Sequence, residues 1–126
     1  MIEGLHHVTI AVRDLAGARR FYGEILGLRE IERPGLSRGG AWYALGDREL
    51  HLSVNDDART FRDASEPDSG DGHFALRVSD WEAAVAHMKA NGVEVLESPR
   101  NATPWKQAYV ADPDGNVVEL NAEREP

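Results

Sequence analysis

Four side chains of this 126-residue sequence have the right chemistry to hold a cation: His7, His51, His73 and Glu119. The chain has no cysteine, which excludes a disulfide framework and a thiolate site, so a metal must sit on imidazole and carboxylate. Three imidazoles and one carboxylate suit Zn, Ni, Co, Fe(II) or Mn, and affinity order alone does not choose among them. Ca and Mg prefer oxygen-rich shells. One divalent ion per site is the cofactor this donor set points to.

A lone His on a strand is weak evidence for a ligand. Here the donors recur. Leu5-His6-His7-Val8-Thr9-Ile10-Ala11-Val12-Arg13-Asp14-Leu15 resembles Gly70-Asp71-Gly72-His73-Phe74-Ala75-Leu76-Arg77-Val78-Ser79-Asp80-Trp81. His7 aligns with His73, Asp14 with Asp80 and Ala18 with Ala84, each at an offset of 66 (73 − 7). Tyr43 aligns with Tyr109 at the same offset, and two extra residues in the following turn then bring His51 into line with Glu119. Internal repetition is the feature to seek first, because it fixes the architecture.

The elements that must position these donors read alike in both halves. Residues 6–12 and 73–78 alternate with the period of a strand. Asp14 is an expected N-cap for a helix ending near Gly27, with Leu15, Ala18, Phe21, Tyr22 and Ile25 inward. Ser79 and Glu82 have the spacing of a capping box for a second helix ending at Asn91-Gly92, with Trp81, Ala84, Val85 and Met88 inward. Short strand-like runs follow over 28–32, 40–45 and 49–54, then over 93–97, 105–111 and 116–121. Asp112-Pro113-Asp114-Gly115 forms a turn between the last two. The reading is one α+β domain over 1–126 made of two βαβββ modules, 4–54 and 72–121. An acidic connection, 55–71, joins them and runs over the surface.

Strand side chains alternate between faces. Val8, Ile10 and Val12 oppose His7, Thr9 and Ala11; Leu50, Leu52 and Val54 oppose His51 and Ser53. In the second half Phe74, Leu76 and Val78 oppose His73, Ala75 and Arg77, and Val118 and Leu120 oppose Glu119 and Asn121. Four strands thus bury one apolar face on the helices and carry one donor each on the other. His6, opposite His7, and His87, in the second helix, read as surface or packing residues.

Hydrophobic residues are 41% and charged residues 29% of the chain, an ordinary globular balance. The net charge of −8 repels phosphate backbones and anionic membranes, so neither nucleic acid nor a lipid surface is the expected partner. No apolar run reaches the length of a membrane span, and Met1-Ile2-Glu3-Gly4 lacks the pattern of a signal peptide. The expected location is the cytoplasm and the expected partner a small molecule.

Leu5 to Val12, Phe21-Tyr22-Gly23-Glu24-Ile25-Leu26-Gly27-Leu28, His73 to Val78 and Asp112 to Leu120 together resemble the vicinal oxygen chelate superfamily. That superfamily holds glyoxalase I, fosfomycin-resistance thiol transferases, extradiol dioxygenases, methylmalonyl-CoA epimerase and bleomycin-resistance proteins. The resemblance covers nearly the whole chain. It implies paired βαβββ modules curled around a metal held by His7, His73 and Glu119, and a homodimer whose site is sometimes shared between chains. The position of His51 is Glu or Gln in glyoxalases and epimerases, so His there is a departure: a fourth ligand or a base beside the metal.

The reaction the resemblance favours is a glyoxalase I-like lyase or isomerase step. A proton leaves the carbon next to a carbonyl while the metal acts as a Lewis acid on two adjacent substrate oxygens. Glu119 or His51 would move that proton, with Glu119 preferred because a metal-bound His cannot also be a base. A thiol transferase acting on fosfomycin or a similar epoxide is the second implied reading, with a thiol cosubstrate. Thr9 and Tyr109 match residues lining the substrate site there, although the potassium loop and the C-terminal arginine of those enzymes are missing. An Fe(II) extradiol dioxygenase and a non-enzymatic drug-binding protein are further members. Among polar residues that could contact substrate, Arg77 shares the His73 face, Trp42 lies in a middle strand, and Arg38 in Ser37-Arg38-Gly39-Gly40 could clamp an anion.

Overall fold

The computed structural model describes residues 1–124. The chain forms β1 (His7–Val12), α1 (Leu15–Arg19) running into a π-helical segment (Arg20–Ile25), β2 (Glu30–Ile31), β3 (Gly40–Leu45) and β4 (Arg48–Val54). The order then recurs as β5 (His73–Arg77), α2 (Trp81–Ala90), β6 (Leu96–Ser98), β7 (Trp105–Ala111) and β8 (Val117–Glu123). The strands make two four-stranded mixed sheets, β1-β4-β3-β2 and β5-β8-β7-β6, in an α+β architecture. In each, the first and last strands pair in parallel and the remaining neighbours are antiparallel. Two compact units result, Met1–Phe61 and Arg62–Pro126. Among the described residues no helix is long and apolar enough to cross a membrane.

In the first unit, Asp14 caps α1 by accepting the Ala16 and Gly17 N–H groups. This answers the orphan donors of a helix start. The helix then widens, with Leu26 N–H bonding the Phe21 carbonyl at 2.8 Å, an i to i+5 bond. Gly27 ends it at φ +76°, the left-handed conformation that glycine adopts without a Cβ penalty. Ala18, Phe21, Tyr22 and Ile25 are buried with Val12, Tyr43, Leu50 and Leu52, and Leu15 is half-buried. α1 packs on β3 and β4.

In the second unit α2 packs on β7 and β8, burying Trp81, Val85 and Met88. Its N-cap is Asp80, whose carboxylate accepts the Ala83 N–H at 3.0 Å. The expected capping box on Ser79 is thus displaced by one residue. Asp is as good a cap as Ser, so spacing alone did not separate them. The helix ends at Asn91-Gly92 as expected, with Gly92 at φ +77°.

The register corrects one detail of the repeat. Trp42 lies opposite His51, and Tyr109 lies opposite Glu119. Tyr43, opposite Leu50, is therefore the counterpart of Val110, opposite Val118, and not of Tyr109. The β3–β4 connection is two residues and the β7–β8 connection five. The offset is 67 between β3 and β7 (109 − 42) and 68 between β4 and β8 (119 − 51), so one extra residue precedes β7 and one lies in the turn; a one-residue slip reverses the face a side chain points to. Tyr43 consequently lies in the core and Tyr109 beside the donors.

Candidate metal centre

In the first unit β1 and β4 pair so that His7 faces Glu49 and Thr9 faces His51. The alternation that buries Leu50 and Leu52 leaves Glu49 and His51 on the other face with His7. His51 is nonetheless 8% exposed, because its ring is sandwiched. It stacks on Trp42 at 3.9 Å between centroids, 5° from parallel, and on His7 at 4.1 Å and 18°. Its Nε2 lies 2.8 Å from Glu49 Oε1, and this hydrogen bond holds the Glu49 carboxyl below its ordinary range. His7 Nδ1 lies 2.8 Å from His6 Nδ1. His6, read from sequence as a bystander, thus positions its neighbour.

A ring nitrogen's lone pair lies in the plane of the ring. Two imidazoles bound to one ion aim at a common point, whereas rings stacked 4.1 Å apart and nearly parallel aim at points in different planes. His7 and His51 are adjacent but do not converge.

In the second unit β5 and β8 pair so that Ala75 faces Glu119 and His73 faces Val117. His73 Nε2 stands 3.1 Å from Glu119 Oε1, and its Nδ1 stands 2.7 Å from the backbone carbonyl of Asp71. Glu119 is 5% exposed. Its second oxygen, Oε2, accepts from Asn121 Nδ2 at 3.1 Å and Gln107 Nε2 at 3.3 Å. Tyr109 meets the His73 ring edge-on at 5.4 Å. Burial, and then the charge of Glu119, raise the Tyr109 phenol above its ordinary range.

The His73 contact has a consequence for charge. A carbonyl can only accept, so His73 Nδ1 carries the proton; in the neutral ring Nε2 then bears a lone pair. That lone pair would face a carboxylate oxygen 3.1 Å away. Two acceptors at this distance require a positive particle, either a second ring proton or a metal ion. Two donors bound to one ion at about 2.0–2.2 Å stand about 2.8 to 3.6 Å apart for angles between a right angle and the tetrahedral one. The pair therefore fits a divalent cation, and the imidazole whose other N–H goes to a carbonyl is the usual form of a metal-bound His.

Thr9 is exposed on β1. Arg77 pairs with Glu123 at 3.2 Å, and both are largely exposed. Arg38 is exposed and its carbonyl accepts Arg33 Nη2 at 2.7 Å. Among the described residues no three His, Asp or Glu side chains are grouped around a point that could hold an ion; the donors stand as one pair in each unit. Glu49 and Asn121 were not singled out from sequence. Their signal was the period of two, which sets Glu49 beside His51 and Asn121 beside Glu119.

The sequence profile of the Glyoxalase/Bleomycin resistance protein/Dioxygenase superfamily matches residues 4–120. The chain belongs to this superfamily. It is 31% identical over 121 residues to the glutathione transferase FosA of Serratia marcescens, covering 96% of this chain and 82% of that one. It is 32% identical over 124 residues to the metallothiol transferase FosB of Staphylococcus haemolyticus, covering 96% and 84%. A crystal structure described as a glyoxalase family protein from Bacillus anthracis superposes with a TM-score of 0.82, at 30% identity and 98% of each chain.

Proposed function

We propose that the chain is a divalent-metal-dependent enzyme of the superfamily that relocates a proton on a small substrate with vicinal oxygens, in the manner of glyoxalase I. His7, His73 and Glu119 are the proposed ligands and His51 the proposed base. The observation that carries the reading is the facing pair His73 Nε2 and Glu119 Oε1, 3.1 Å apart with Nδ1 held by the Asp71 carbonyl. A divalent ion of the Zn, Ni, Co, Fe or Mn kind held by these residues would supply a Lewis acid.

The chain's own residues do the rest. Glu119 has one oxygen toward His73 and two amide donors on the other, which favours a ligand over a base. His51 hands its Nε2 proton to a hydrogen bond with Glu49 and keeps Nδ1 to accept the substrate proton. The charge that then forms on the ring is stabilised by Glu49, the logic of a carboxylate-oriented histidine. Imidazole is suited to this near neutral pH. The stacking of His51 on His7 favours this role over that of a fourth ligand. Thr9, Trp42 and Tyr109 are the proposed substrate contacts, with Arg77 or Arg38 available to an anionic group. A homodimer with one ion per chain completes the proposal.

The likeness to FosA and FosB favours a second reading, a thiol transferase. There His51 takes the proton of a thiol, sulfur bonds to an epoxide carbon, the C–O bond breaks, and the released oxygen takes up a proton. One experiment separates the two. Protein loaded in turn with Ni, Zn, Co and Mn is given methylglyoxal with glutathione, and separately fosfomycin with glutathione, and products are followed by NMR. The first reading predicts the 2-hydroxyacyl thioester, the second the ring-opened adduct. Neither product from fully loaded protein contradicts both.

A further inference from the structure

We infer that Gln107 and Asn121 are positioning residues that reserve one oxygen of Glu119, so that this carboxylate offers a single oxygen to the metal; the inference rests on the metal-binding reading above. Asn121 Nδ2 lies 3.1 Å and Gln107 Nε2 3.3 Å from Oε2, while Oε1 faces His73. The two N–H groups occupy the lone pairs of Oε2, so chelation of an ion through both oxygens would require breaking these bonds.

The strand register makes this clamp a built feature. Gln107 and Asn121 are paired across β7 and β8, one step along the same face from the pair Tyr109 and Glu119. Side chains two apart on a strand share a face, and diagonal cross-strand neighbours lie within reach of long side chains. Asn121 is 8% exposed. The other half of the duplication supplies the contrast. Where Gln107 faces Asn121, the first unit has Gly40 facing Ser53. Neither carries an amide, and the donor beside them is His51, which has no second oxygen to restrain. The amide pair occurs where the donor is a carboxylate. Partners of this kind around metal ligands are worth ~10- to 100-fold in affinity.

The test uses Co(II), whose visible absorption weakens as coordination number rises. The wild-type protein is compared with Gln107→Met, Asn121→Leu and the double variant, each checked for folding by thermal denaturation. Gln107 is half-buried, so Gln107→Met keeps the test valid where the buried Asn121→Leu fails to fold. The expected result is Co(II) binding ~10- to 100-fold weaker in the double variant, a smaller loss in Gln107→Met, and a fall in band intensity as both Glu119 oxygens reach the ion. Unchanged affinity and spectrum in folded variants, with wild-type binding intact, overturn the clamp alone. A wild-type protein that binds no Co(II) overturns the metal reading and the clamp with it.

Discussion

His73 stands between two acceptors: the Asp71 carbonyl at 2.7 Å from Nδ1 and the Glu119 carboxylate at 3.1 Å from Nε2. The carbonyl accepts from Nδ1, and the carboxylate then calls for either a second ring proton or a metal ion at Nε2. Both side chains come from paired strands, β5 and β8.

The proposed division of labour between the histidines predicts different failures. His73→Ala should lose both metal and turnover. His51→Ala should keep the metal and lose at least about a hundredfold in turnover, the contribution typical of a general base. Elemental analysis with a turnover assay reads both. Loss of metal in His51→Ala would instead make His51 a fourth ligand.

Two buried tyrosines predict an alkaline limit to stability. Burial raises the phenol of Tyr43, with the Glu30 carboxylate adding to it, and burial then Glu119 raise that of Tyr109. A group whose folded pKa lies above its unfolded value, here about 10, gives stability that is whole below the unfolded value. That stability is lost as pH rises through the folded value. Urea midpoints should fall above about pH 10, and Tyr43→Phe and Tyr109→Phe should each flatten that fall. A slope unchanged by either substitution would contradict the assignment.

Arg62 predicts where the acidic segment is tied down. Its guanidinium bonds Asp71 Oδ2 at 2.7 Å, the Gly115 carbonyl at 2.8 Å and the Glu66 carbonyl at 2.8 Å, and the side chain is 12% exposed. Arg62→Ala should cost about 2 kcal/mol in urea unfolding, reduced from a fully buried pair because Asp71 is half exposed. Gly115→Ala should destabilise comparably, since φ is +85° and an added Cβ would lie 2.3 Å from the Ala64 carbonyl oxygen. Either variant matching wild type in the urea midpoint would show that the tie carries no load.

Much of this was legible in the sequence, for physical reasons that also mark its limits. The period of two put His7, His51, His73 and Glu119 on the faces opposite the buried Val12, Leu50, Leu52, Val118 and Leu120, and the repeat gave the βαβββ order. Tyr43 misled because a Tyr in each half invites alignment, whereas hydrogen-bond register, invisible in one strand alone, decides the face. The Asp71 carbonyl is backbone, which carries no residue-type signal. Glu49 was readable as a neighbour of His51 in alternation, but a lone Glu near a strand end is ordinarily a solvated charge. The π-helical widening after Arg19 has no counterpart in the 3.6-residue pattern used to find the helix.

The most direct test of the central claim is metal content after loading with Zn, Ni, Co or Mn and exhaustive dialysis, measured on the wild type and His73→Ala. The account predicts one tightly held ion per wild-type chain and none in His73→Ala. A wild type that retains no ion, or a His73→Ala protein that retains a full complement, would contradict it.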